Sequence, residues 1–271
     1  MPKQETVNHT EEMAVETRRL TANEIFDAAV ESAREELKRS PRTLAFSGLA
    51  GGLTMGLTGL SVAATRAILG SGSWEELASY LVYPLGFIAV IIGRSQLFTE
   101  NTLYPVVLVL DERKQFARRL RDTLRLWAVV FSANIVGALC FATLAVKSSA
   151  LSPEIYSQLV KLGAESVTGG AGHFFWSGVV GGWLIALVAW MVTASQWTIG
   201  QVAMIWLLTF LVGIGKFSHC IATSGEILAA VLAGSTTATS YVHWLLAATS
   251  GNITGGVIMV SMLNYGQVRE I

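Results

Sequence analysis

Long apolar blocks separated by short polar connections dominate this sequence and restrict what the chain can fold into. A bilayer-spanning helix needs about 20 mostly apolar residues to cross about 30 Å of hydrocarbon. Only 14% of the 271 residues are charged, whereas soluble domains carry about 25%. This excludes an ordinary soluble enzyme and a disordered chain. It predicts an all-α membrane protein with six transmembrane helices, at about 44–69, 81–110, 124–146, 174–195, 200–233 and 241–264.

Two of the six predicted helices are interrupted. The block at 81–110 is too long for one straight helix, and polar residues that include Arg94 lie in its middle. The block at 200–233 is interrupted near 213–219. Unwound backbone at this depth is tolerated only where protein or a water-filled cavity satisfies its N–H and C=O groups. We therefore predict that the second and fifth helices are broken.

The first 42 residues differ from the rest, because they carry charge throughout and lack the short apolar core of a signal peptide. Apolar residues recur between Ile25 and Leu37 at helical spacing, which predicts an amphipathic helix on the membrane surface or against the bundle. We expect a cytoplasmic segment at 1–42, a six-helix transmembrane transporter domain at 43–265 and a cytoplasmic tail at 266–271.

Basic residues predict the orientation. Seven Lys or Arg residues lie in the N-terminal segment and six lie in the loop at 111–125, whereas the opposite loops hold only Arg66, Lys147 and Lys161. Because Lys and Arg accumulate in cytoplasmic loops, both termini and the 111–125 loop are predicted to be cytoplasmic.

Glycine patterns indicate an internal repeat. The string S-G-x-x-G-G occurs at 47–52 in the first predicted helix and at 177–182 in the fourth, and S-x-N-I-x-G occurs at 132–137 in the third and at 250–255 in the sixth. Small residues at such spacing let membrane helices pack closely. Since three helices per half is an odd number, the two halves are expected to be inverted. Inverted repeats with one broken helix each are a transport architecture.

The two breaks correspond as well, because a glycine followed by a cation precedes each of them, at Gly93-Arg94 and at Gly215-Lys216. The predicted orientation puts Arg94 just outside the midplane and Lys216 just inside it. This pattern predicts a pathway in which two cations flank His219.

Several motifs at these positions are similar to those of the formate/nitrite transporter family, and the resemblance runs along residues 40–265. The motifs are Leu97-Phe98-Thr99, Phe217-x-His219-x-Ile221-Ala222, Trp183-Leu184 with Ala189-Trp190, and Gly251-Asn252-Ile253-x-Gly255-Gly256. The chain departs from the family pattern at Ser218, where an acidic residue is common, and at Thr223 and Gly182, where asparagines are usual.

The resemblance implies an aquaporin-like protomer with its own pore, assembled as a homopentamer in the inner membrane. It implies transport of a small monovalent anion such as formate, nitrite, hydrosulfide or lactate, with proton coupling in many members. Leu97 and Phe98 would lie at a hydrophobic constriction, with Thr99 on a mobile loop beside it. His219 would be the central pore histidine.

The charged residues of the breaks have alternative roles. Lys216 would either attract anions into the pore, on the same helix face as His219 if the turn is intact, or pair with Glu226 or Glu100. Arg94 would either attract anions or tie down a helix end. For Glu100 and Glu226 we expect counter-ion roles, with proton relay as the alternative.

Uncharged residues at the breaks have alternative roles too. Asn134 and Asn252 are predicted to cap or bridge the free backbone groups there. Phe87, with Tyr83, either narrows the outer vestibule or packs against lipid or protein. His219 itself is either a hydrogen-bond or proton donor to the anion or a core histidine bonded to a backbone carbonyl.

The sequence lacks the motifs that metal binding, nucleotide binding and nucleophilic catalysis require. No cluster has metal-ligand spacing, no glycine loop suits a phosphate, and no nucleophile has its own base, so we predict neither cofactor nor enzyme activity. The net charge of zero predicts no nucleic-acid partner. Two alternatives to anion transport are a neutral-solute channel of the aquaglyceroporin type, although its Asn-Pro-Ala motifs are absent, and a membrane scaffold that recruits a partner through its N-terminal segment.

Overall fold

The computed structural model describes residues 19–70 and 72–269, and within them the chain is helical, without strands. Short 3-10 turns occur at Glu100–Thr102 and Arg113–Gln115, and a π-helical stretch occurs at Val257–Met262. The α-helices are α1 (Ala22–Lys38), α2 (Pro41–Leu69), α3 (Ser73–Leu81), α4 (Leu85–Ile92), α5 (Tyr104–Asp111), α6 (Phe116–Lys147), α7 (Pro153–Ser166), α8 (Ala171–Ala194), α9 (Thr198–Ile214), α10 (Ala222–Leu232), α11 (Ala238–Gly256) and α12 (Leu263–Val268).

The described part of the chain contains five helical segments that are long and apolar enough to cross a membrane. They are Pro41–Leu69, Ser73–Ile92, Arg113–Lys147, Ala171–Ala194 and Ala238–Val268, and two shorter apolar helices are Thr198–Ile214 and Ala222–Leu232. The prediction of an all-helical, multi-pass membrane protein is confirmed. The second helix differs from the prediction at 81–110, because it begins at Ser73 and its first part alone is long enough to span.

The helix pairs α2–α6 and α8–α11 pack backbone against backbone. A Cβ built on Gly52 would lie 2.0 Å from the carbonyl oxygen of Asn134, and one built on Gly182 would lie 2.2 Å from that of Asn252. Because apolar contact alone gives helices no net attraction in lipid, such close approach supplies van der Waals contact that larger residues would prevent. The glycine strings therefore mark positions at which two helices are in close backbone contact.

The N-terminal helix α1 packs against the bundle with its apolar face, so that Phe26, Ala29, Ala33 and Leu37 are buried. A capping box at Thr21 starts this helix. Ionic contacts also hold it, since Arg34 lies 3.0 Å from Glu112, which in turn contacts Arg119 at 2.6 Å. Residues 1–18 of the predicted N-terminal segment lie outside the described residues.

Helix α7 occupies a connection that is predicted from the sequence to be a loop. Ser152 caps it, Pro153 occupies its first turn, and Leu159 and Leu162 are buried against α10 and α2. At 14 residues it is too short to span, and its exposed face is polar, so hydropathy alone does not reveal it.

Candidate substrate pathway at the two helix breaks

The backbone leaves α4 and α9 in the same way. Arg94 and Lys216 adopt left-handed conformations with φ of 57° and 51°. The N–H groups of Arg94 and Ser95 donate back to α4 at 3.2 and 3.0 Å, and those of Lys216 and Phe217 donate back to α9 at 2.9 and 3.0 Å. Each break therefore ends its helix in a Schellman motif, in which glycine normally occupies the left-handed position. Here a cation occupies it, although a non-glycine residue costs about 1 kcal/mol or more there.

Asn134 of α6 holds the first break. Its Nδ2 donates to the carbonyl oxygens of Gly48 at 2.7 Å and Gln96 at 2.9 Å, and its Oδ1 accepts the N–H of Phe98 at 2.9 Å. The hydroxyl of Ser47 accepts the N–H of Gln96 at 3.0 Å. These bonds satisfy backbone groups that the broken helix leaves free, as membrane burial requires.

Asn252 of α11 holds the second break with the same set of bonds. Its Nδ2 donates to the carbonyl oxygens of Gly178 and Ser218, both at 2.8 Å, and its Oδ1 accepts the N–H of Cys220 at 2.9 Å. The hydroxyl of Ser177 accepts the N–H of Ser218 at 2.9 Å. Both asparagines thus bridge backbone groups at the breaks, which is the role that the sequence predicts.

His219 is fully buried at the point where the two breaks meet. Its Nδ1 accepts the backbone N–H of Ala222 at 2.9 Å, and its Nε2 lies 2.8 Å from Oγ1 of Thr99. Because Nδ1 accepts, the neutral ring carries its proton on Nε2 and donates it to Thr99. The ring of Phe87 lies edge-on, with 5.1 Å between the centroids. The alternative of a histidine bonded to a backbone carbonyl is wrong, because its backbone contact is an N–H.

Leu97 and Phe98 are both buried, but they point to different neighbours. Leu97 borders a small cavity beside the first break. The ring of Phe98 packs edge-on against Trp127 and Phe131 of α6, at centroid distances of 5.7 and 5.0 Å. Of the two residues expected at a constriction, Leu97 is therefore the one that borders a cavity.

A cavity of about 490 Å³ adjoins the second break, and we call it the Lys216 cavity. Thr223, Tyr83 and Glu226 contribute to its lining. The ammonium of Lys216 lies 2.8 Å from a carboxylate oxygen of Glu76 on α3. The expected pairing of Lys216 with Glu226 or Glu100 is therefore wrong, and the unwound backbone also removes the expected helix face shared with His219.

Arg66 also contacts Glu76, the partner of Lys216, although the sequence pattern indicates for Arg66 only a role in membrane orientation. Its guanidinium donates to Glu76 at 3.3 Å, to the hydroxyl of Tyr80 at 3.0 Å and to that of Ser79 at 3.2 Å. It is 9% exposed. An arginine near the end of an apolar helix signals such a partner, but Glu76 belongs to a short helix whose position the sequence does not reveal.

A second cavity of about 90 Å³ adjoins the first break, and we call it the Arg94 cavity. Ser32 and Glu36 of α1 line it together with Arg94 and Glu100. The side chains of Arg94 and Glu100 make no hydrogen bond or ion pair within residues 19–70 and 72–269, although they line the same cavity and the charge of Arg94 acts on Glu100. The counter-ion role expected of Glu100 therefore involves no direct ion pair among these residues. Instead, Glu36 accepts a bond from the side chain of Gln96 at 2.7 Å.

Relative to the N-terminal helix, the two cations lie at the ends of the bundle opposite to those predicted. Arg94 shares its cavity with the N-terminal helix, and Lys216 pairs with the connection after α2, at the other end of the bundle. The segment Ser73–Ile92 before the break is by itself long enough to cross a membrane, and the chain after the break brings Thr99 to His219. Within the described residues no group of three or more His, Cys, Asp or Glu side chains could hold a metal ion.

Two interrupted helices that meet at a buried histidine, with a cavity on either side, define a polytopic membrane protein of the channel or transporter class. The family model described as formate/nitrite transporter matches residues 23–266, and the chain belongs to that family. It is 31% identical over 243 residues to the inner membrane protein YfdC of Escherichia coli, covering 87% of this chain and 75% of that protein.

Solved structures share the fold. An FNT family ion channel superposes with a TM-score of 0.77 at 19% identity, covering 90% of this chain and 98% of that one. A pentameric formate channel with formate bound gives a TM-score of 0.69 at 18% identity, covering 84% and 97%. The family and these structures are transporters or channels and not enzymes.

Proposed function

We propose that this protein carries a small monovalent anion, such as formate or nitrite, through a pore in each protomer. The pore runs from the Lys216 cavity past His219 and Thr99 to the Arg94 cavity. The main support is the position of the His219–Thr99 hydrogen bond, which joins the two broken segments between the two cavities. Each cavity contains a cation from the left-handed position of its break, Lys216 in one and Arg94 in the other. Cations at both mouths raise the local concentration of anions.

The buried pair supplies a hydrogen-bond donor between the two cavities. Since the Nε2–H of His219 is donated to Thr99, the Thr99 hydroxyl hydrogen has no acceptor among the described residues and is free to bind a passing anion. A neutral donor helps an anion shed its water without trapping it as a fixed cation would. Phe87 and Leu97 make the surroundings apolar, which favours passage one ion at a time.

The left-handed conformation of Arg94 and Lys216 supports a role for their side chains. Glycine would fit these positions without strain, so the cations are held there at a cost in stability. We assign them the attraction of anions at the two entrances, with Thr223 providing a hydroxyl in the Lys216 cavity. Asn134 and Asn252 hold the breaks in place.

The matching bonds at the two breaks also support two inverted three-helix repeats, in which α2, α6, Asn134 and the first break correspond to α8, α11, Asn252 and the second. We further propose a homopentamer, by analogy with the pentameric formate channel that shares the fold. We also propose an inner-membrane location with both termini cytoplasmic, which the similarity to the inner membrane protein YfdC and the basic loop at 111–125 support. A neutral-solute channel would not require a cation at each entrance.

Flux into proteoliposomes tests the proposal. Formate, nitrite, hydrosulfide and glycerol are offered in turn to the wild type and to His219→Ala and Thr99→Val. The exposed His243 provides a matched control, His243→Ala. We expect anion flux in the wild type and the control, and at least a tenfold loss in the other two variants. Glycerol flux without anion flux, unaffected by these substitutions, would refute anion transport.

A further inference from the structure

Glu226 is a buried acidic side chain that borders the Lys216 cavity and has no hydrogen-bond or ion-pair partner in the part of the chain that the structure describes. It is 7% exposed, and its carboxylate makes no hydrogen bond or ion pair with any residue of the ranges 19–70 and 72–269. An ionisable side chain within a membrane domain normally pairs with a charge or a polar group, and one that does not is a functional candidate.

The fold makes room for this side chain. A Cβ built on Gly59 of α2 would lie 2.3 Å from Cγ of Glu226 and 2.6 Å from Oε1, so any larger residue would displace the carboxyl. On the other side, a Cβ built on Gly163 of α7 would lie 2.0 Å from the Glu226 carbonyl oxygen. Two glycines on neighbouring helices therefore fix Glu226 at the cavity wall.

The charged and titratable neighbours leave its carboxyl available. The guanidinium of Arg66, two turns along α2 from Gly59, is already bonded to side chains of α3. Lys216 is already paired with Glu76. The other titratable groups that line the cavity are Tyr80, Tyr83, Glu165 and His173.

His219 does not provide a second proton-exchange site in this arrangement. Its Nδ1 lone pair is occupied by the N–H of Ala222, so protonating the ring would set two donors against each other. The neutral ring can donate a hydrogen bond, but it has no proton to give away without becoming an imidazolate. A proton that accompanies the anion must therefore come from another group.

We propose that Glu226 exchanges protons with the transported anion in the Lys216 cavity, an assignment that rests on the proposed function. The O–H bond of the protonated carboxyl breaks and an O–H bond to the anion forms, giving the neutral acid and a carboxylate. Water entering the cavity, as hydronium, returns the proton to Glu226. In this proton-coupled mode the neutral acid passes His219 without carrying charge through the apolar layer, whereas an imposed membrane potential drives the anion itself past the Thr99 hydroxyl.

The test measures formate uptake and internal acidification together in proteoliposomes, from pH 8 to pH 5. In the wild type we expect acidification to accompany formate uptake and both to increase as the external pH falls. In Glu226→Gln we expect coupled acidification to fall at least tenfold, while uptake driven by an imposed membrane potential persists. Glu226→Asp keeps a carboxyl and should retain coupling. The control Glu165→Gln, at an exposed position of the same cavity, should behave as wild type.

Each alternative outcome is decisive. Unchanged coupling in Glu226→Gln, or wild-type formate uptake without acidification, would overturn the assignment and leave anion transport intact. Loss of the voltage-driven uptake in a folded Glu226→Gln protein would also overturn it, because the carboxyl would then be needed for conduction itself. A wild type that moves no anion under either condition would instead refute the proposed function.

Discussion

Replacing Arg94 by glycine should stabilise the protein and impair its transport. A left-handed non-glycine residue costs about 1–2 kcal/mol, and the greater freedom of glycine in the unfolded chain returns about 0.5–1 kcal/mol of that. The side chain of Arg94 makes no hydrogen bond or ion pair among the described residues, and glycine keeps the backbone bond of the turn, so a net gain of about 0.5–1 kcal/mol remains. For a chain of this size that corresponds to a rise of about 2 °C in the melting temperature.

Transport should change in the opposite direction. A unit charge about 4 Å from the path of an anion in a wet cavity contributes about 1 kcal/mol, or about fivefold in local anion concentration. Arg94→Gly should therefore lower formate flux several-fold at low salt and less at high salt, where the charge is screened.

Two comparisons separate strain from charge. Arg94→Ala removes the charge but keeps a Cβ at φ 57°, so its flux should fall equally while its melting temperature stays near that of the wild type. Lys216→Gly loses the ion pair between Lys216 and Glu76. The side chains of this pair are 63% and 41% exposed, so the pair contributes less than about 1 kcal/mol and the stability of the variant should change little. A glycine variant less stable than the alanine variant would refute the strain argument, and full flux in both would refute the role of the charge.

Three further predictions concern stability, measured as the melting temperature in detergent. Gly52→Ala should destabilise the protein by about 2 kcal/mol or more, because its Cβ would lie 2.0 Å from a carbonyl oxygen of α6. The control Gly172→Ala, whose Cβ would have no atom within 4 Å, should be neutral or slightly stabilising. Equal effects of the two substitutions would contradict the packing argument. Asn252→Ala should cost about 3 kcal/mol or more, since three buried hydrogen bonds are lost and their backbone partners stay unsatisfied; a cost below about 1 kcal/mol would be inconsistent with that role. The guanidiniums of Arg119 and Arg34 hold the pKa of Glu112 below its usual range. The contribution of the Glu112 carboxylate to folding stability is therefore present above about pH 4.3 and is lost as the pH falls through the folded-state pKa. Glu112→Gln should be less stable than the wild type by about 1 kcal/mol at pH 7, and this difference should shrink towards pH 3. A difference that persists unchanged in acid would exclude the ionic explanation.

The sequence predicts those parts of the fold that depend on local periodicity or on repeated spacing. Membrane helices are visible because about 20 consecutive residues must be apolar. The equivalence of Asn134 and Asn252 is visible because each lies three residues before a glycine of a helix contact, Gly137 and Gly255. The bonds that these side chains make repeat atom for atom at the two breaks.

Features that depend on distant parts of the chain could not be predicted. Lys216 pairs with Glu76, and no pattern relates a polar connection to a helix break far along the chain. The sequence places Arg94 at the wrong end of the bundle relative to the N-terminal helix. Hydropathy does not show that Ser73–Ile92, the first part of the second span, is by itself long enough to cross a membrane. The amphipathic helix α7 is too short to give a membrane signal, and Glu226 became informative only when its lack of partners was known.

The dependence of the first break on Asn134 has a consequence for biosynthesis. The segment Tyr104–Asp111 has only eight residues, about 12 Å of helix, and so cannot cross the bilayer by itself. The polar backbone before it finds its partners on Ser47, which is synthesised earlier, and on Asn134, which is synthesised later. A nascent chain that ends before α6 would leave the peptide groups of Gln96 and Phe98 without their partner in lipid. The break and the short segment after it therefore acquire a stable position in the membrane only when the third helix joins them.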